Sequence, residues 1–257
     1  MIPKEINRII QSTTLGSKEI AIAILEKGLD LNRETLISIF RRAFERHPSM
    51  NILRSIADEL ERTSITPKEL LDKLRRLDLD IARNMVKILD KDSSIVSYSR
   101  SSTLINVFRY LHKWGYLKEI LLSEARPNYE GVSYAEALAD EGIEVTLVID
   151  IYLPTLIEMA DYVIVGCDTI LPDNTVINKV GSKTLAIAAK YFGKDFIVAC
   201  DQYKFSDKPT IDIEEGPSKE IYSRKHRRIS VKNPYFEPIP PKLISYIVTN
   251  IGIIRPI

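Results

Sequence analysis

Between Ser17 and about Asp90 the apolar positions recur three and four residues apart, as in Ile20, Ile24 and Leu25 and then Leu36, Ile39, Phe40 and Phe44. Residues at that spacing share one face of a helix, so the pattern predicts a helical bundle. The punctuation agrees. Gly28 can end one helix, Asn32 can cap the next, His47-Pro48 stops that one, and Thr66-Pro67 places proline in the first turn of another. From 69 to 90, Leu71, Leu74, Leu77, Ile81, Met85 and Ile88 alternate with charged residues, which predicts a long amphipathic helix with a solvated charged face.

Past Lys91-Asp92 the period changes. Short β-rich runs at 94–98, 119–123, 144–149, 162–166 and 196–200 alternate with helical stretches near 103–114, 134–141, 153–160 and 183–192. Strands separated by helix-length segments imply parallel pairing with crossover helices. The expected fold class is α/β, with an N-terminal helical domain over 1–90 and a Rossmann-like doubly wound, mostly parallel sheet over 91–257. In such sheets ligands bind beyond the carboxyl ends of the strands, where the strand order reverses. Residues 207–228 are polar enough to form an excursion from the sheet.

Four strand ends carry polar clusters expected to converge on one crevice: Ser97-Tyr98-Ser99-Arg100, Glu124-Ala125-Arg126-Pro127, Asp150, and Gly166-Cys167-Asp168-Thr169. Ser99 and Arg100 lead into a helix, so hydroxyls, backbone amides and a guanidinium can together hold a phosphate there. An N-cap with a solvated arginine accounts for the same residues equally well. Glu124 and Arg126 form either an internal ion pair that fixes a loop or a site where Arg126 meets an anion. Asp168 ends an apolar run, where an acid or base for proton transfer would stand. Asn178, Lys179 and Gly181 precede the next helix; Lys179 can neutralise a phosphate while Gly181 lets backbone approach closely, and capping explains them as well.

Charge and composition then remove alternatives. With 36 Lys+Arg against 35 Asp+Glu in 257 residues, the net charge of +1 supplies no field that selects nucleic acid or an anionic membrane. The basic stretch Arg224-Lys225-His226-Arg227-Arg228 follows acidic residues and reads as a solvated loop, so no direct nucleic-acid contact is expected. Phosphate-loop, dinucleotide and zinc signatures are absent, and His47, His112 and His226 fall in separate elements; no metal and no cofactor are expected. Cys167 and Cys200 lie in apolar runs and read as reduced core thiols. Residues 1–20 hold no uninterrupted apolar segment, and no run elsewhere is long enough for a bilayer, so a cytoplasmic protein without a membrane partner is expected.

Over roughly 90–257 the chain resembles the family that unites the alpha, beta and delta regulatory subunits of eukaryotic translation initiation factor 2B with methylthioribose-1-phosphate and ribose-1,5-bisphosphate isomerases. The resemblance rests on Glu124-Ala125-Arg126-Pro127 with Gly131, Gly142-Ile143-Glu144-Val145-Thr146 with Asp150, and Val163 through Asp168. It continues in Val176 through Ser182, then Asn233-Pro234-Tyr235-Phe236-Glu237 with Pro240-Pro241, and Ile251-Gly252-Ile253. It implies a homodimer or higher oligomer formed through the Rossmann-like part, a phosphorylated small-molecule ligand, and initiation factor 2 subunits as partners. The isomerases work with an aspartate, which maps onto Asp168, and a cysteine that follows a Thr-His pair after the first strand. Here that region reads Ile95-Val96-Ser97-Tyr98-Ser99-Arg100, and Ser97 is taken to stand at the cysteine position. A hydroxyl is a poor proton carrier near neutral pH. The isomerases' Arg-Gly-Ala turn is also replaced, by Leu15-Gly16-Ser17, whereas Tyr98-Ser99-Arg100 resembles the Tyr-Ser-Arg of the regulatory subunits. The resemblance therefore implies an archaeal-type, non-catalytic, ligand-binding relative, with an aldose-ketose isomerase as the alternative.

Overall fold

The computed structural model describes residues 3–12, 15–224 and 226–256; Lys225 of the basic stretch lies outside them. Five helices come first, α1 (Lys4–Ile10), α2 (Ser17–Lys27), α3 (Arg33–Arg46), α4 (Asn51–Arg62) and α5 (Pro67–Met85). Their ends follow from local chemistry. Asn32 Oδ1 accepts from the Thr35 amide at 2.8 Å, while Thr66 and Glu69 close a reciprocal capping box. α3 stops at Arg46 because Pro48 disfavours helical geometry at His47. α5 ends at Met85, short of the predicted 90, where Lys87 and Ile88 donate to Asn84 and Met85 and tighten the chain into a turn.

The helices bury the residues that the spacing selected. Ile20, Ile24, Leu25, Leu36, Ile39 and Phe40 form one core cluster with the apolar faces of α1, α4 and the first half of α5. The second half of α5, through Ile81, Ala82 and Met85, packs instead on the sheet. One long helix thus belongs to both cores.

The sheet contains β1 (Ser93–Val96), β2 (Leu117–Ser123), β3 (Glu144–Val148) and β4 (Tyr162–Val165), then a small sheet of β5 (Thr169–Ile170), β6 (Val176–Lys179) and β8 (Phe236–Ile239), with β7 (Asp195–Ala199), β9 (Tyr246–Thr249) and β10 (Gly252–Ile254) returning to the main one. The main order is β10-β9-β7-β4-β1-β2-β3, parallel except for the antiparallel β9/β10 hairpin. The antiparallel small sheet and the β9/β10 hairpin extend the five strands that periodicity predicted. Helices α6 (Ser102–Lys113) and α7 (Glu130–Ala139) cover one face, and α8 (Leu153–Leu156) and α9 (Ser182–Tyr191) the other. α8 is a single turn, shorter than the predicted 153–160. Alternation sorts β4 between two cores: Val163 and Val165 meet α8 and α9, whereas Ile164 meets the α5–α6–α7 side. From β1 the chain builds outward to β2 and β3, then returns to place β4 on β1's other side, so the order reverses between β1 and β4.

Gly131, in the first turn of α7, lies against the end of β2: a Cβ there would stand 1.8 Å from the Ser123 carbonyl oxygen. Backbone cannot yield as a flexible side chain does. Gly131→Ala is expected to lower stability by roughly 1–3 kcal/mol, read as a lower urea midpoint with an unchanged m value.

Candidate ligand-binding site

A cavity of about 160 Å³ opens at the reversal between β1 and β4, closed on its other side by the helical bundle. The loop after β1 contributes Tyr98 through Thr103, the loop after β4 contributes Gly166, Cys167 and Asp168, and β6 contributes Asn178 and Lys179. Cys200 and Lys204 come from beyond β7, Ser17, Lys18, Arg46 and His47 from the bundle, and Glu214, Glu215 and Pro217 from the excursion after β7. That excursion is tied to the bundle: Ser49 Oγ donates to the Asp212 carbonyl at 3.1 Å, His47 Nδ1 faces Glu214 Oε2 at 3.3 Å, and Arg54 Nη2 donates to Asp207 Oδ2 at 3.0 Å.

At the centre, Ser17 donates to Asp168 Oδ1 at 2.7 Å and accepts from Lys204, whose ammonium is 3.7 Å from the same carboxylate. Burial pushes the Asp168 carboxyl above its ordinary value, against the downward pull of Lys204 and the Ser17 hydrogen bond. Burial alone would lower the Lys204 ammonium, but Asp168 and Asp201 outweigh it and hold its pKa above 10.5. The result is an aspartate that retains a proton to higher pH than a surface carboxylate, beside a lysine that stays charged.

Lys179 and Arg100 are paired with carboxylates too. Lys179 donates to Glu130 Oε2 at 2.9 Å, Ser99 donates to the other oxygen of Glu130, and Arg100 donates to Glu19. Asn178 donates to Ser182 Oγ at 2.9 Å. A carboxylate already occupies the cradle formed by Ser99 and Lys179, so an incoming phosphate would have to displace Glu130. The amides of Gly181 and Lys183 at the start of α9 donate to Glu237 at 2.6 and 3.0 Å, so at this helix end capping describes the contact. Gly181 takes a φ of +107°, and a Cβ there would fall 2.8 Å from the Tyr98 hydroxyl, which accounts for the glycine.

Of the residues singled out from sequence, Ser99, Arg100, Asp168, Asn178 and Lys179 meet at the cavity. Others do not. Ser97 is fully buried and lies outside the cavity lining, whereas Ser99, with a φ of +60°, faces the cavity. Glu124, Arg126 and Asp150 also stay outside, because β2 and β3 lie beyond β1 and away from the reversal. Asp150 instead holds the loop after β2, accepting from Ser123 Oγ and from the amides of Ala125 and Arg126 at 2.7–2.8 Å. Arg126 stacks over Tyr129 at 4.7 Å. Cys167, read from sequence as a core thiol, lines the cavity together with Asp168, whose amide turns to the small sheet and donates to the Ile177 carbonyl at 3.0 Å. Ser17, Glu19, Glu130, Cys200 and Lys204 were missed. Cys200 and Lys204 carried a usable signal, since they flank a fifth strand end rich in polar residues, and Ser17 carried one as part of the Leu15-Gly16-Ser17 turn that replaces Arg-Gly-Ala; Glu19 carried none.

Fold and cavity define a class, a helical bundle joined to a doubly wound sheet with a charge-paired ligand cavity where they meet. The chain belongs to the initiation factor 2 subunit family, whose sequence pattern matches residues 36–256 and so reaches into the helical part. It is 31% identical over 244 residues, 92% of this chain and 87% of the other, to a protein of Pyrococcus furiosus that carries the name translation initiation factor eIF-2B subunit 2-like. It is 35% identical over 169 residues to the ribose 1,5-bisphosphate isomerase of Archaeoglobus fulgidus, covering 63% of this chain and only 54% of that one. The crystal structure of the Pyrococcus horikoshii OT3 translation initiation factor eIF-2B shares the fold, with a TM-score of 0.79 over 99% of this chain and 98% of the other at 24% identity. Among the described residues no helix is long and apolar enough to cross a membrane.

Proposed function

We propose that the chain is a cytoplasmic protein like the regulatory subunits of initiation factor 2B, which binds a phosphorylated sugar or nucleotide in the cavity without converting it and carries that state to a partner protein in translation initiation. The observation that supports this reading is Ser99. In this reading Ser99, the cavity-facing serine of the Ser97-Tyr98-Ser99 run, rather than Ser97, takes the place of the isomerases' thiol, with a hydroxyl hydrogen-bonded to Glu130. An alcohol has no accessible ionisation near neutral pH, so the two-group proton relay of aldose-ketose isomerisation lacks one member. A second reading, an isomerase of a ribose phosphate, draws support from Asp168, which lines the cavity with its pKa raised as in a working acid/base. Carbon NMR with ribose 1,5-bisphosphate separates the two. Shifts that report binding with no ribulose 1,5-bisphosphate are expected; turnover that disappears in Asp168→Asn would establish the isomerase instead.

Assembly belongs to the same reading. Edge strand β3 and the segment after it expose Leu147, Ile149, Ile151, Tyr152 and Met159, at 42, 57, 83, 50 and 79%. An unpaired strand edge flanked by apolar side chains favours a second copy of the chain as its cover. Sedimentation equilibrium is expected to give a dimer or larger oligomer that Ile151→Asp shifts toward monomer; an unaltered association constant would count against this face.

A further inference from the structure

Two thiols that the proposed function leaves unused stand side by side in the cavity. β4 and β7 are parallel neighbours in the register Val163 to Phe196, Ile164 to Ile197 and Val165 to Val198. Carried two residues past Val165 and Val198, this register sets Cys167 opposite Cys200. Val163, Val165 and Cys167 belong to one core cluster with Phe196, Val198 and Cys200, so both cysteines leave the sheet on the same face. Neighbouring strands lie about 4.8 Å apart, within the ~4.4–6.8 Å Cα separation that a disulfide spans. Both cysteines are free thiols, both line the cavity, and the Cys200 thiol interacts directly with the Cys167 sulfur.

We propose that Cys167 and Cys200 form a peroxide-sensitive pair that closes reversibly to a disulfide across the ends of β4 and β7. Cys167 is the attacking sulfur, since it is 7% exposed at the cavity wall against 1% for Cys200. Lys204 lines the same cavity as both cysteines and places a positive charge on its wall. Contact with Cys167, together with burial, keeps the Cys200 thiol protonated, which suits the resolving partner.

In the first step the Cys167 sulfur attacks one oxygen of hydrogen peroxide. The O–O bond breaks, the thiol proton leaves with the departing hydroxide as water, and Cys167 becomes a sulfenic acid, oxidised by two electrons as the peroxide is reduced by two. The Cys200 sulfur then attacks the Cys167 sulfur; the S–S bond forms, the S–O bond breaks, and hydroxide leaves as water with the Cys200 proton. The bond would tie the strand end that carries Asp168 to the one that leads to Lys204.

The full-length chain is titrated with hydrogen peroxide, alkylated after denaturation and mapped by mass spectrometry without reduction. The expected result is one cross-linked peptide pair, Cys167 to Cys200, that appears as both free thiols disappear and is reversed by dithiothreitol. In Cys200→Ala, Cys167 is expected to accumulate as a sulfenic acid that dimedone traps. Two alkylatable thiols remaining after peroxide, or oxidation of wild-type Cys167 past the sulfenic acid without a cross-link, would overturn the proposal. The wild-type chain carries the decisive readout, so a variant that fails to fold does not protect it.

Discussion

Lys204→Met lowers the unfolding free energy by about 3–5 kcal/mol at neutral pH, the usual consequence of removing one partner from a buried charge cluster. Lys204 is 4% exposed and Asp201 fully buried, and Lys204 holds the Ser17 hydroxyl that in turn donates to Asp168. Without the ammonium, the buried Asp201 and the half-buried Asp168 lose their compensating charge and Ser17 loses a donor. The pH dependence distinguishes this from lost packing. The folded-state pKa of Lys204 is raised above 10.5, so its contribution is fully present below 10.5 and fades as pH rises through the folded value. Denaturant unfolding across that range should show the gap between wild type and variant narrowing at the alkaline end. A gap that stays constant through it would assign the loss to side-chain volume alone.

Lys18→Met carries a cost of similar size, about 3–5 kcal/mol, for the same physical reason. Lys18 and Asp78 form an ion pair with both side chains 3% exposed, and Asn106 donates to the second Asp78 oxygen at 2.8 Å. Burial raises the Asp78 pKa despite Lys18 and Asn106. The charged carboxyl is therefore less favourable inside the protein than in water, and Lys18, with help from Asn106, keeps that deficit small. Replacing both partners should undo most of the damage: Lys18→Met with Asp78→Leu is expected to return to within about 1–3 kcal/mol of wild type, the remainder being the unpaired Asn106 donor. Equal losses in the single and double variants, measured by thermal and urea unfolding, would show that the pair acts through shape rather than charge.

The helical part was legible because its signals are local. Asn32, Thr66-Pro67 and the stripe through Leu36, Ile39 and Phe40 each act within a turn or two of themselves, and each is found at its expected place. Strands β1, β2, β3, β4 and β7 were legible for the same reason, as β-rich runs of ordinary length. β5 has two residues and β10 three, too few for a period to show, and β8 is interrupted by Pro238. The site was legible where it follows a strand end at the reversal, as with Ser99 and Asp168. Glu124, Arg126 and Asp150 looked the same in sequence, and only the lateral order of strands tells a ligand-facing end from a distant one. The contact of Ser17 with Asp168 was illegible because it depends on packing of the bundle against the sheet, to which neither local propensity nor periodicity refers.

The contacts that join Ser17 to Asp168 and to Lys204 close loops of 151 and 187 residues. Loop closure is entropically costly and contacts this distant in sequence form late. Helices α2 to α4 can compact early on their own short-range contacts, whereas the cavity exists only after β7 has found its place beside β4. During synthesis, then, a ribosome-bound chain has a bundle before it has a binding site, and any ligand of the cavity acts as a checkpoint on the completed molecule, stabilising only chains whose last strands are already home.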